Sequence, residues 1–257
     1  MAEHIELTID GRAVAVEPGT TILEAARRVG ITIPVLCYSP RTTPNGLCRM
    51  CVVEVEGARG LVASCLTPAA AGSRIQTETQ RVVRARRTML EMLAFSVDLS
   101  ETPDLLALME RNGARPDRFE GGERRRPAPI DDNPMYIRDY AKCVLCWRCV
   151  QVCAEDIQFT FALNVSGRGH ETHIGTAFGR PMPETTCVFC GQCVDVCPSG
   201  ALKPRREWLL EQGMSPEAMM QATMTEKRKR RSAVEAEPSP EAGERGGEGS
   251  RKRRDPS

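Results

Sequence analysis

The sequence predicts an α+β chain of two small domains followed by a disordered tail, on three observations. An alternating N-terminal hairpin runs into a capped helix, twelve cysteines fall into three sets of four, and almost no apolar residue occurs from residue 226 onward. The 35 Lys and Arg nearly balance the 34 Asp and Glu, and 41% of the chain is hydrophobic. That composition is globular and excludes disorder throughout. Aromatic residues are only 4%, so inorganic cross-links are expected to supply what ring packing does not. No run approaches the roughly 20 apolar residues of a membrane helix. The opening MAEHIELTID alternates apolar and polar residues, so neither a secretory signal nor membrane insertion is expected. The expected location is the cytoplasm, where cysteines serve metals or catalysis more often than disulfides.

Ile5, Leu7 and Ile9 alternate with polar residues, Asp10-Gly11 is a turn pair, and Val14 and Val16 resume the alternation, which predicts a β-hairpin. Thr21 and Glu24 form a capping box, the apolar face of Ile22, Ala25, Ala26 and Val29 follows, and Gly30 stands where a helix ends. A Cys, Pro and Gly loop over 37–51 leads to a strand at 52–56 and an apolar segment at 61–66. Amphipathic spacing predicts a helix over 81–93, and Pro103 opens another that stops at Gly113. Residues 114–134 read as a linker or a strap, and helices are expected near 207–210 and after Ser215-Pro216.

The cysteine sets are Cys37, Cys48, Cys51, Cys65; Cys143, Cys146, Cys149, Cys153; and Cys187, Cys190, Cys193, Cys197. The last two share the spacing C-x2-C-x2-C-x3-C, an internal repeat, and Pro198 follows the second. That is the rhythm of bacterial [4Fe-4S] ligation, in which three thiolates wrap one cluster and the fourth serves its neighbour. One [4Fe-4S] cluster is therefore expected on Cys143, Cys146, Cys149 and Cys197, and a second on Cys187, Cys190, Cys193 and Cys153. The competing reading is zinc, but a zinc site wants two C-x2-C pairs separated by a spacer. The set Cys37, Cys48, Cys51, Cys65 would suit a [2Fe-2S] cluster on a β-grasp scaffold, although its first gap is longer than the plant-type spacing. Asn45 and Gly46 either let backbone approach a cluster or simply form a turn.

The run PVLCYSPRTTPNGLCRMCVVEVEG, with Cys65 after it, resembles the N-terminal [2Fe-2S] domain of the large electron-transfer subunit of NADH dehydrogenases, a module shared with NAD-linked formate dehydrogenase α subunits and the small diaphorase subunit of soluble hydrogenases. RDYAKCVLCWRCVQVC and ETTCVFCGQCVDVCPSGAL resemble the [4Fe-4S] domain of the same proteins, closest to the formate dehydrogenase members. The likeness spans residues 3–205. It implies a 2Fe-2S ferredoxin-like β-grasp domain at 1–80, a helical connector at 81–134 and a two-cluster bacterial-ferredoxin-like domain at 135–205, to which helix-start signals and composition add helices at 206–225 and a disordered tail at 226–257. The family usually carries an H-x3-C-x2-C-x5-C site between the domains, and this chain has no His or Cys from Leu66 to Lys142. The further cluster of that site is expected to be absent. Only 60 residues follow Cys197, so any molybdopterin-dependent catalysis is expected on another polypeptide.

The reading is thus an iron–sulfur electron-transfer subunit with one [2Fe-2S] and two [4Fe-4S] clusters and no catalytic residues of its own. Its implied partners are a catalytic molybdopterin subunit, by resemblance a formate dehydrogenase, or else a hydrogenase, and a flavin subunit that reduces NAD. A free ferredoxin and a zinc-binding regulatory module remain alternatives. Trp147 reads as packing beside a cluster, His170 and His173 as surface histidines in a hairpin, and the carboxylate pairs Asp131/Asp132 and Glu155/Asp156 as solvated turns or caps. The basic runs 227–231 and 251–254 lack interleaved aromatics and are separated by glutamates, which argues for a solubilising or docking tail rather than nucleic-acid binding.

Overall fold

The computed structural model describes residues 4–119, 121–222 and 224–225. The predicted tail at 226–257 lies outside them. Two compact units divide the chain, Met1–Trp208 and Leu209–Ser257.

In the larger unit, β1 (Ile5–Ile9) and β2 (Arg12–Val16) pair antiparallel from Ile5 opposite Val16 to Ile9 opposite Arg12. Asp10 and Gly11 both take left-handed backbone, as a two-residue hairpin turn requires. Helix α1 (Ile22–Arg28) opens on the capping box, with Thr21 Oγ1 accepting from Glu24 N and the Glu24 carboxylate accepting from Thr21 N. Strands β3 (Val52–Val55), β4 (Val62–Ala63) and β5 (Arg74–Gln76) complete a sheet in the order β2-β1-β5-β3-β4, with β5 parallel to β1. The sequence pattern predicts no strand at 74–76, because three residues with one apolar side chain, Ile75, cannot show a period of two. Its place is set from outside, since Asp10 Oδ1 accepts from Thr77 N at 2.8 Å. One helix over this sheet buries Ile9, Val16, Leu23 and Ile75 in a core of its own, each worth about 1.5–3 kcal/mol. This is the expected β-grasp.

Helix α2 (Gln80–Ser96) is capped by Thr79 and packs on β3, and α3 (Pro103–Arg111) packs on α2. Arg86 of α2 is buried, yet its guanidinium is satisfied. Its Nε donates to Met50 O, Nη2 to Val52 O and Nη1 to the Glu78 carboxylate at 2.9 Å, so one side chain pins the residues on either side of Cys51. The connector is therefore packed. Val97, Leu99, Leu105 and Met109 share a core with Leu36, Cys37 and Met50 on one side and Val144 and Cys146 on the other.

After the strap at 114–134, β6 (Tyr136–Arg138) pairs antiparallel with β9 (Leu202–Pro204), closing the second cysteine-rich region at its ends. Between them lie two short helices in contact, α4 (Arg148–Cys153) and α5 (Gln192–Asp195), and a small hairpin of β7 (Asn164–Ser166) and β8 (His173–Gly175). Helix α6 (Arg205–Glu211) carries the chain out of the larger unit. In the smaller unit a further helix begins at Pro216, with Ser215 Oγ accepting from Ala218 N at 3.2 Å, and Met219 is buried.

Candidate iron–sulfur centres

The repeat visible in the cysteine spacing is also written in the backbone. Leu145 and Phe189, each two residues beyond the first cysteine of its run, have φ near +54°, and Trp147 and Gly191, just before α4 and α5, have φ of 68° and 79°. Left-handed backbone in a non-glycine residue costs roughly 1–3 kcal/mol and persists where the surroundings demand it. Here it folds each C-x2-C-x2-C run around a point and aims amides inward, as where Phe189 N donates to Cys187 Sγ at 3.4 Å.

Cys143, Cys146, Cys149 and Cys197 line one small cavity, of about 20 Å³, walled by Val144, Trp147, Ile174, Ala201 and Leu202. Cys153, Cys187, Cys190 and Cys193 line another of about 20 Å³, walled by Val152, Leu163 and Met182. The fourth cysteine of each run thus stands with the triple of the other. Burial pushes the Cys146 and Cys193 thiols up to about 12 and Cys143 to about 11. Bare thiols here stay protonated, and a bound metal must displace those protons.

The N-terminal quartet is tighter. Cys51 Sγ lies 3.2 Å from Cys65 Sγ, and Cys48 Sγ accepts from Cys37 N at 3.3 Å and Met50 N at 3.4 Å. Cys37, Cys51 and Cys65 are each 1% exposed. The thiols compete for protons: Cys48 and Cys51 are pushed down to about 6 by hydrogen bonds from Cys37 and Cys65, whose own pKa values rise. Gly46 is fixed by two demands, a φ of +64° and a Cβ position that would fall 2.3 Å from Leu66 Cδ1.

These donor sets fit iron–sulfur clusters. Each centre offers four thiols, and neither of the two cavities just described has a carboxylate or imidazole among its lining residues. Two tyrosines that line these cavities, Tyr136 and Tyr140, also bury hydroxyls whose protons find no acceptor in the chain.

The centres are mechanically joined. Asn45 Nδ2 donates to Cys146 O at 3.2 Å and to Gln151 Oε1 at 2.8 Å, Gln151 Nε2 donates to Thr43 O, and Thr43 N donates to the Asp156 carboxylate at 2.8 Å. Arg148 donates to Tyr38 O, and Arg41 reaches Gln192 and Asp195 of α5. Asn45 is accordingly more than a turn residue, and no local pattern signalled that its amide crosses to the other cysteine region. Asp156 and Asp132 are likewise not merely solvated: Asp132 pairs with the buried Arg138 and accepts from Met182 N. His170 and His173 are exposed beside the β7–β8 hairpin. They rim an open cleft that reaches Tyr140 and Cys143, giving solvent a route to that side of the Cys143 quartet.

Residues 2–80 match the 2Fe-2S iron-sulfur cluster binding domain family, and residues 138–201 match the 4Fe-4S dicluster domain family. The fold is similar to that in the crystal structure of NAD+-reducing [NiFe]-hydrogenase in the H2-reduced state, with a TM-score of 0.69 and 31% identity over 78% of this chain and 87% of that one. The chain belongs to this family of iron–sulfur electron-transfer subunits. It is 39% identical over 215 residues to NADP-reducing hydrogenase subunit HndD of Solidesulfovibrio fructosivorans, and 32% identical over 207 residues to the mitochondrial NADH-ubiquinone oxidoreductase 78 kDa subunit of Candida albicans. Each match covers 77% of this chain, which spans only 36% and 28% of the length of those relatives. In the family's terms, the chain carries one 2Fe-2S domain and one 4Fe-4S dicluster domain. Among the described residues no helix is long and apolar enough to cross a membrane.

Proposed function

We propose that the chain relays electrons between a catalytic redox subunit and a flavin-bearing module that exchanges them with NAD(P). In this reading Cys37, Cys48, Cys51 and Cys65 hold a [2Fe-2S] cluster. Cys143, Cys146, Cys149 and Cys197 hold one [4Fe-4S] cluster, and Cys153, Cys187, Cys190 and Cys193 hold the second. Bound clusters supply reversible one-electron storage at potentials that the protein tunes. The observation that carries the reading is continuity: Cys37 and Cys146 share one apolar core, Cys149 and Cys193 share the next, and Asn45 bonds directly to the Cys146 carbonyl. The residues themselves do three things. Thiolates ligate, apolar walls exclude water, and the bonds of Asn45, Gln151 and Arg148 hold the three centres in fixed succession.

The names of the relatives favour a hydrogenase-type or NADH dehydrogenase-type assembly for the catalytic partner, with a molybdopterin formate dehydrogenase as the outcome to be tested against it. The experiment is to isolate the full chain with whatever binds it under anaerobic conditions. Iron, sulfide and zinc are then counted, and EPR is recorded after adding hydrogen, formate or NAD(P)H. About ten iron per chain and reduction by hydrogen or NAD(P)H support the proposal. Reduction by formate transfers it to the molybdenum system, and stoichiometric zinc without iron defeats it.

A further inference from the structure

Two tyrosines four residues apart each bury a hydroxyl against a different thiol quartet. Tyr136, on β6, lines the cavity ringed by Cys153, Cys187, Cys190 and Cys193 and is 5% exposed. Tyr140, in the turn that leads into Cys143, lines the cavity of Cys143, Cys146, Cys149 and Cys197 and is 7% exposed. The polar groups that act on them, the Gly191 N–H at Tyr136 and the Arg138 guanidinium at Tyr140, are donors, so neither hydroxyl proton has an acceptor. Native cores rarely leave a buried hydroxyl unpaired, so each calls for a partner not supplied by the chain. Both sit where such a partner would be. Burial and then the charges of Cys193 and Cys187 push the Tyr136 hydroxyl up to about 12, whereas burial, Cys149 and Cys143 raise that of Tyr140 with Arg138 opposing. The Tyr136 ring is also clamped, stacked on Phe189 at 5.9 Å between centroids, so its direction is fixed by packing rather than by a bond.

We propose that the Tyr136 and Tyr140 hydroxyls each donate a hydrogen bond to sulfur of the [4Fe-4S] cluster in their own cavity, and that each bond holds that cluster's reduction potential up. The proposal rests on the ligand assignment made above. Reduction adds negative charge that is shared by the sulfurs, so a donor stabilises the reduced form more than the oxidised one. One tyrosine per cluster lets the two potentials be set separately within a repeated scaffold.

The test is an EPR-monitored potentiometric titration of the full-length, anaerobically purified chain as Tyr136→Phe, Tyr140→Phe and the double variant. Each single variant should make reduction of its own cluster about tenfold less favourable, about 59 mV lower for one electron, and leave the other cluster in place. Incorporating 3,5-difluorotyrosine, a stronger donor of nearly the same shape, should shift the same potential upward. In the unsubstituted protein in heavy water, each reduced cluster should show one exchangeable deuteron coupling that the matching Phe variant lacks. If a Phe variant sheds iron, that coupling decides the matter. Unchanged potentials with iron intact, a shift at the opposite cluster, or the absence of the deuteron coupling overturns the proposal. Failure of the ligand assignment reads differently, because the unsubstituted protein would then lack about ten iron or the two [4Fe-4S] signals.

Discussion

The two cysteine-rich regions solve the same problem by opposite means. Around Cys37, Cys48, Cys51 and Cys65 the thiols hang from a five-stranded sheet and a capped helix whose core, from Leu7 to Ile75, is mostly independent of them. Around the other eight, regular structure is reduced to strands of three residues and helices of six and four. Cys143, Cys149 and Cys193 are themselves core residues there, with Cys153, Cys187 and Cys197 packed against them. In the proposed reading the first region is a fold that holds a cluster, and the second is a fold that needs its clusters to supply a core. The difference follows from size, since so short a segment cannot bury enough apolar surface to offset its chain entropy.

Removing iron should break the comparison open most widely. Chelation under denaturant-free conditions is expected to abolish amide protection across 136–138 and 202–204 while leaving it at 5–16 and 74–76, read by hydrogen exchange. Loss of protection in both regions together would mean that the β-grasp is as metal-dependent as its neighbour. Single ligands come next. Cys153→Ser should destroy the EPR signal of the cluster assigned to Cys187, Cys190 and Cys193, and Cys197→Ser that of the cluster assigned to Cys143, Cys146 and Cys149. If each variant instead loses the cluster of its own run, ligation is not crossed.

What the sequence disclosed follows the same division. The hairpin, α1 and the helices opening at 80 and 103 were legible because caps, turn pairs and apolar period are local signals. Strand β5 was not, because its place is fixed by the edges of β1 and β3. The twelve thiols were visible through spacing alone, whereas Asn45, Arg148 and the buried tyrosines gained their meaning from residues about 50 to 110 positions away in the chain.

A smaller effect is expected in the connector. Glu101 carries Lys142 at 2.6 Å on one oxygen and Lys203 at 2.5 Å on the other, tying the start of α3 to both ends of the dicluster region. Partial burial would raise its pKa, but the two lysines outweigh that and hold it below the ordinary carboxylate value. A depressed carboxylate contributes stability that is present above its unfolded pKa and is lost as pH falls through the folded one. Glu101→Gln should therefore cost about 1–3 kcal/mol at pH 7 and much less at the acid end, as followed by denaturant midpoints of the holoprotein. A pH-independent cost would show that the clamp acts by packing.

The smallest change tests the seam itself. Asn45→Ala removes the donor to Cys146 O and to Gln151 Oε1, and the acceptor of the Leu47 N–H, without touching a ligand or either core. Its expected cost is about 1 kcal/mol per net hydrogen bond lost, too little to unfold either region, and the iron content should be unchanged. The bond to Cys146 O lies on the short route between the first two centres, so its loss should loosen the loop from 42 to 47 against α4. The expected result is faster hydrogen exchange at Thr43, whose N–H is held by Asp156 across the seam, and slower equilibration between the [2Fe-2S] and [4Fe-4S] signals after rapid partial reduction. If exchange quickens while equilibration does not change, the seam is only mechanical and electrons pass through the shared core of Cys37, Met50 and Cys146. If neither changes, the bonds of Arg148 and Asp156 already suffice to hold the two solutions together.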